Sequence, residues 1–369
     1  MGALVALMIA AAACGGPSNN VASHSPTPSQ IPSSPSGTAV ASTPATPSAN
    51  PTSQPPAVTG SYGVLVTRPA SGQYSVTIVG IDGTVAASKV VNSPPAVSCP
   101  GAGAVVPLPV STSNSGVYYQ EASGGVTFMS PTGAVRQAAS VPAGTASRRS
   151  MFAVSPDDKR IAVVVADFNS AGASTKLYVE DLNGGNHLDL FSESGARTLW
   201  PLGWHGTGNL VLGVVPSCTQ GGGPFCCGVQ EIHVVDPATA NRRYTLGGVN
   251  TCVIAGAASL AGVVCEAPPQ ATAVSWTNTV LHTYPIQGPV GAYLSPNGTN
   301  VAFVDNTGTT FTGSGSAMAG MFTCAWIDDT HILAGGDTQQ QARVGDVTNG
   351  TMAPVAAQGD CAGRLPGGL

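Results

Sequence analysis

The chain has 369 residues, of which only 8% are charged, and a formal net charge of −5. Basic residues cluster no further than the doublets Arg148-Arg149 and Arg242-Arg243. No phosphate-neutralising stripe can be assembled from them, so nucleic-acid binding is excluded as the main activity. Charged residues ordinarily make up about a quarter of a globular chain; here the surface must be built from Ser, Thr, Asn, Gln and Gly.

Reading from the N-terminus, Ala3 to Ala13 is apolar and uncharged. That run is too short to span a bilayer, which takes roughly 20 helical residues, and it has the size of a signal-peptide apolar region. The segment Ala11-Ala12-Ala13-Cys14-Gly15 then resembles the lipobox of bacterial lipoproteins, in which cleavage before the cysteine accompanies acylation of its sulfur. The resemblance implies a signal peptide over 1–13, a palmitate-type lipid on Cys14, and attachment of the mature chain to a membrane through that lipid. Two departures stand out. Ala11 occupies a position where a bulky aliphatic residue is usual, and no Lys or Arg precedes the apolar run. A positive leader normally does, which places the expected true start upstream of Met1.

Residues 14–57 are almost entirely Ser, Thr, Pro, Ala, Asn and Gln, without a single charge. Such a segment buries too little apolar surface to offset its ordering entropy and reads as a semi-extended, disordered stalk. The remainder, 58–369, has the size of one large all-β domain. The expected address is extracytoplasmic, at the bacterial cell envelope.

Nine cysteines occur. Setting Cys14 aside leaves eight, an even number that in an exported chain reads as disulfides. The candidates are Cys99, Cys218, Cys226, Cys227, Cys252, Cys265, Cys324 and Cys361. A hairpin turning near 258–259 would set Cys252 opposite Cys265. Cys218 with the Cys226-Cys227 pair would close a Gly-rich loop, Cys324 would join Cys361, and Cys99 would take the remaining partner. No CxxC spacing is present for zinc, and no metal or cofactor is expected.

From residue 58 onward the chain repeats one unit: an apolar strand, a polar turn and a second apolar strand. Examples are Val106 to Tyr119, Met151 to Val165, Leu202 to Val215, Cys252 to Cys265, Val290 to Val304 and Cys324 to Ala334. Hairpins of a second type lie between them, such as Val76 to Val85, Lys176 to Asn186 and Ile232 to Asn241. Their turns carry Asp, Asn, Pro and Gly, which supply the backbone angles that hairpins need. Two hairpins per period make a four-stranded antiparallel sheet, one blade of a β-propeller. Seven periods begin near 61, 103, 149, 199, 251, 290 and 321, at intervals scattered around the roughly 40–45 residues of a propeller blade. Seven blades are therefore preferred. The first period supplies only three strands. Its fourth would have to come from the C-terminus, whose Gly- and Pro-rich sequence makes a poor strand, so six blades stay open.

Ser155-Pro156-Asp157-Asp158-Lys159-Arg160-Ile161-Ala162 resembles the Ser-Pro-Asp-Gly-Lys-Arg-Ile-Ala signature of TolB-type, WD-like propeller repeats, and Leu294 to Phe303 is a second copy. The resemblance implies that each copy turns between the two inner strands of a blade. Asp158 replaces the usual Gly in the first copy, and Asn297 replaces the Asp in the second. No additional N-terminal domain accompanies the repeats, so a Tol-system role is not implied.

Chemistry is sparse. Gly-x-Ser-x-Gly, His-Glu-x-x-His and a phosphate-cradling glycine loop are all absent from the sequence, and no catalytic residue is assigned. His24, His187, His205, His233, His282 and His331 are scattered. Asp157-Asp158 and Asp328-Asp329 read as turn residues, and Trp200, Trp204, Trp276 and Trp326 as core. The expected function is a membrane-anchored binding or interaction scaffold whose partner is a protein or an envelope polymer. The alternative is an extracytoplasmic propeller hydrolase or lyase acting on a sugar or lactone. The central channel separates them: aromatic and apolar walls fit the scaffold, whereas converging carboxylates and histidines fit the enzyme.

Overall fold

The computed structural model describes residues 54–68, 70–219, 228–288, 290–313 and 315–369. The signal peptide, Cys14, nearly all of the stalk, His24, Cys226 and Cys227 lie outside the described residues. Those described contain strands and turns and no helix. They form seven four-stranded antiparallel sheets arranged as a β-propeller.

Six blades are sequential: blade 2 over 110–140, blade 3 over 148–195, blade 4 over 197–247, blade 5 over 253–285, blade 6 over 291–319 and blade 7 over 323–354. Blade 1 is composite. Tyr62–Val66, Gln73–Gly80 and Val85–Asn92 supply three strands, and Asp360–Leu365 returns from the far end of the chain as its innermost strand. The ring therefore closes with seven blades, and the six-blade alternative falls. The Gly-rich tail makes this strand because of where it runs. A Cβ on Gly363 would lie 2.9 Å from Thr112 Cγ2 of blade 2, and one on Gly359 would lie 2.6 Å from the Val66 carbonyl carbon. At the crowded centre of the ring, glycine admits a close approach that a side chain would block.

Seven clusters of buried side chains make up the core, one in each wedge between neighbouring blades. Tyr74, Val76 and Ile78 meet Val117 and Tyr119 between blades 1 and 2. Leu65 and Val79 meet Ile327, Leu333 and Val344 between blades 7 and 1. Middle strands are covered on both faces, so Ile161 to Val164 are all fully buried and read as an uninterrupted apolar run instead of an alternation. Outermost strands face solvent, as in Val85–Asn92, where six of eight residues are exposed.

The signature turns have one construction. Ser155 Oγ donates to Asp157 Oδ1 and accepts from the Arg160 N–H, while Ser295 Oγ donates to Asn297 Oδ1 and accepts from the Asn300 N–H. The fourth position is left-handed in both copies, at Asp158 (φ 55°) and Gly298 (φ 76°). Asp158 holds that angle while its carboxylate accepts from Ser115 Oγ at 2.6 Å and Tyr118 Oη at 2.7 Å, both in blade 2.

Three disulfides join described residues: Cys99–Cys218, Cys252–Cys265 and Cys324–Cys361. The last ties the inner strand of blade 7 to the ring-closing strand. Two expectations need correction. Cys218 does not close the Gly-rich loop; it reaches Cys99, 119 residues away in sequence. Cys252 and Cys265 bond, yet they are not directly opposite, because Ile254 pairs with Cys265. The stretch from Val106 is also not a strand until Val110. Pro107 and Pro109 carry no N–H and cannot extend the ladder.

Candidate functional site

The innermost strands surround a central channel. Its lower end is the face where the first and second strands of each blade turn into one another, and the chain enters the body there through residues 54–61. Val58 N–H donates to Asn114 O and Gln54 Nε2 to Asp157 O. Residues 366–369 cross the same face. Gly367 N–H donates to Ser113 O, Leu369 N–H to Trp204 O, and His205 Nδ1 lies 2.7 Å from Leu369 O.

The upper face carries a strap, the 17-residue link over 93–109 between blades 1 and 2. Instead of passing directly between them it runs out over blades 3 and 4. Ser98 N–H donates to Ala146 O, Val105 N–H to Ser217 O and Thr219 N–H to Gly103 O. The Cys99–Cys218 disulfide fastens it. Trp200 of blade 4 connects strap to channel: its indole N–H donates to Val105 O at 3.3 Å, and its ring forms part of the channel wall.

Within the channel is a cavity of about 330 Å³ to which the inner strands of all seven blades contribute. Phe152, Trp200, Tyr293, Leu294 and Trp326 form much of the wall, together with the backbone of 256–259. Among the described residues lining it there is one charged side chain, Arg364, and no Asp, Glu or His side chain. Arg364 Nη1 donates to Ile327 O. Burial pushes its guanidinium below the usual arginine range, and the Asp329 and Asp328 charges pull it back. Such a wall offers apolar area, ring faces and fixed carbonyls, with one cation at its lower end.

The histidines read from the sequence are not brought together. His187 joins Glu180 and Asp189 at an outer turn of blade 3; His233 joins Glu231 on blade 4; His331 joins Asp328 in a turn of blade 7. His282 stacks near Tyr284 on blade 5. Asp157-Asp158 and Asp328-Asp329 are turn residues as expected; Asp329 Oδ1 accepts from the Asn297 N–H of the preceding blade. No group of three or more potential metal ligands occurs among the described residues. Trp204, Trp276 and Trp326 are buried, and each indole N–H donates to a backbone carbonyl. Trp200 also donates to a carbonyl but is only half-buried, and it lines the cavity together with Trp326.

Sequence reasoning missed the strap, Arg364 and the inward turn of Arg149. The last had a signal. In a strand the two members of an Arg-Arg doublet point to opposite faces. Arg148 is exposed and ion-paired with Asp167, whereas Arg149 is 7% exposed.

No protein-family model matches the chain, and no curated protein does either. Several solved structures resemble it distantly. A protein of unknown function from Bacteroides caccae covers 83% of this chain and 98% of its own at 10% identity, with a TM-score of 0.42. BamB from Moraxella catarrhalis covers 85% and 84% at 15% identity and 0.32. An oligogalacturonate lyase in complex with manganese covers 78% and 77% at 10% identity and 0.36. At these levels no ligand, partner or activity passes from them to this chain, and the propeller assignment rests on the strand pairing.

Proposed function

We propose that this chain is an extracytoplasmic, membrane-anchored lipoprotein of the bacterial envelope. Residues 1–13 are its signal peptide, Cys14 its lipid site and 14–57 its stalk. Its TolB-like propeller, 58–369, is a non-catalytic scaffold that binds a protein or an envelope polymer. The observation that carries the binding role is the channel wall. A cavity of about 330 Å³ falls within the range of small-ligand sites, roughly 300–1,000 Å³. Its half-buried Trp200 and Tyr293 side chains can hold a ring by burial and stacking. General acid–base chemistry asks for positioned titratable groups, and the described wall offers only Arg364 and Tyr293. Burial raises the Tyr293 phenol above its ordinary range. Three disulfides support an oxidising compartment.

Two measurements test this reading. Metabolic labelling with palmitate should mark the wild-type chain and not Cys14→Ser; persistent label on the variant removes the anchor. Solubilised envelope oligosaccharides, titrated against the full chain, should change Trp fluorescence saturably in wild type and more weakly in Trp200→Leu. Their mass spectrum should stay unaltered after prolonged incubation. Cleavage products that disappear with a channel-wall variant would establish the enzyme instead.

A further inference from the structure

Arg364, the one charged side chain in the channel wall, stands on the ring-closing strand Asp360–Leu365. A guanidinium carries five N–H donors and keeps its proton in a protein. One of them, on Nη1, reaches Ile327 O; Nε and Nη2 have no partner among the described residues. Asp329 and Asp328 are the acids whose charges reach it, and both are engaged elsewhere. Asp328 accepts from the Thr330 N–H and meets His331 within its own turn, and Asp329 accepts from the Asn297 N–H. Neither lines the cavity. Leu369 O, at the same end, is taken by His205 Nδ1.

The other polar side chains of the wall divide into engaged and free. Ser111 Oγ accepts from the Val154 N–H and Ser259 Oγ donates to Ser295 O. The Thr112 and Tyr293 hydroxyls have no partner among the described residues. Thr112 belongs to the Arg364 end of the cavity: a Cβ on Gly363, the residue before Arg364, would lie 3.2 Å from Thr112 Oγ1. The Tyr293 ring rests against Gly256, where an added Cβ would come within 2.9 Å of Tyr293 Cδ1. With Trp200 it supplies the half-buried ring faces of the wall. Free donors therefore gather around one cation in walls that are otherwise apolar. An ionised carboxylate only accepts, and the planar fork of an arginine bonds it through two N–H groups at once. A neutral ligand would desolvate the cation without answering it.

We propose that the group the channel takes is a small apolar ring carrying one carboxylate, its ring against Trp200 and Tyr293 and its carboxylate on Arg364 beside Thr112. This rests on the channel reading above and names the chemistry of that same site. All four side chains line one cavity of about 330 Å³, at the small end of ligand sites, roughly 300–1,000 Å³. Ring burial supplies the affinity that any ring of this size would gain; the charge-assisted bonds to Arg364 supply the preference for an acid.

The test is a ligand-observed NMR titration of the full chain at pH 7 and constant ionic strength, with phenylacetate and its neutral isostere phenylacetamide as probes. Wild type should bind phenylacetate at least about tenfold more tightly than phenylacetamide. Arg364→Met should bind phenylacetate no more tightly than the amide, while its affinity for the amide stays within about twofold of wild type, which also shows that its channel is intact. Trp200→Leu should weaken both probes. The matched pair needs no variant to decide: equal wild-type affinities overturn the proposal and leave the channel reading standing. A preference for the acid that survives in Arg364→Met, or that is accompanied by no loss in Trp200→Leu, overturns it as well. Binding of neither probe overturns it too, and the Trp200-dependent response to envelope oligosaccharides then decides the channel reading separately.

Discussion

Asp158 tests how one residue can serve a turn and a blade interface together. Its left-handed backbone, φ 55°, is the angle for which the resembled signature uses Gly, so Asp158→Gly should relieve strain of about 1 kcal/mol. The same change removes both carboxylate oxygens that accept from Tyr118 Oη and Ser115 Oγ. Hydrogen bonds to a charged group contribute about 1.5–3 kcal/mol each, and Tyr118, fully buried, has its hydroxyl stranded. The net expectation is a loss of about 2–4 kcal/mol, read as a lower urea midpoint. Asp158→Asn tolerates the angle and keeps one acceptor, so it should lose about half as much. A double-mutant cycle isolates the cause. Adding Tyr118→Phe to Asp158→Gly should recover about 1–2 kcal/mol by removing the stranded hydroxyl, whereas Tyr118→Phe alone should destabilise. If Asp158→Gly is as stable as wild type, or the cycle shows no coupling, the carboxylate does not tie blade 2 to blade 3.

Glu266 is 5% exposed with Oε1 unpartnered, and burial raises its carboxyl above the ordinary range. A raised folded pKa means that this side chain favours the fold below its unfolded pKa and loses that contribution as pH climbs through the folded one. Glu266→Gln should therefore stabilise by about 1–3 kcal/mol at pH 8, with the advantage fading toward pH 4; a gap independent of pH would refute the assignment. The three disulfides should rank by loop length, 119, 37 and 13 residues apart. Paired Cys→Ser replacement should cost most at Cys99–Cys218 and about 1 kcal/mol less at Cys252–Cys265 than at Cys324–Cys361. Urea midpoints in the reverse order would count against it.

Blade number was legible because its signals are local. A hairpin turn needs Asp, Asn, Gly or Pro within a few residues of a fixed point, and the turns at 155–158 and 295–298 sit where the signature puts them. What stayed hidden depends on contacts between distant segments. Nothing near Cys99 marks Cys218 as its partner, because the path of the strap is set by blades 3 and 4. Pro107 and Pro109 were the available warning that the segment from Val106 was no ordinary strand. The glycines that made the last strand look weak are placed where the ring leaves no room for a side chain.

The scarcity of charge gives Arg149 its meaning. In a chain of ordinary composition an unpaired buried arginine could be answered by any of several nearby acids. Here acids number 18 in 369 residues, all lie among the described residues, and none bonds to Nε or Nη1 of Arg149. Composition therefore leaves few acids within the chain to answer the two unpartnered nitrogens of this buried side chain. The doublet was visible in the sequence as a weak basic cluster. Strand alternation splits it into one arginine that finds Asp167 at the surface and one that faces inward. A replacement that compares these environments, Arg148→Met against Arg149→Met, should separate a surface ion pair, contributing about 0–1 kcal/mol, from an unpaired interior charge whose removal is neutral or stabilising; an Arg149→Met urea midpoint well below that of wild type would refute this.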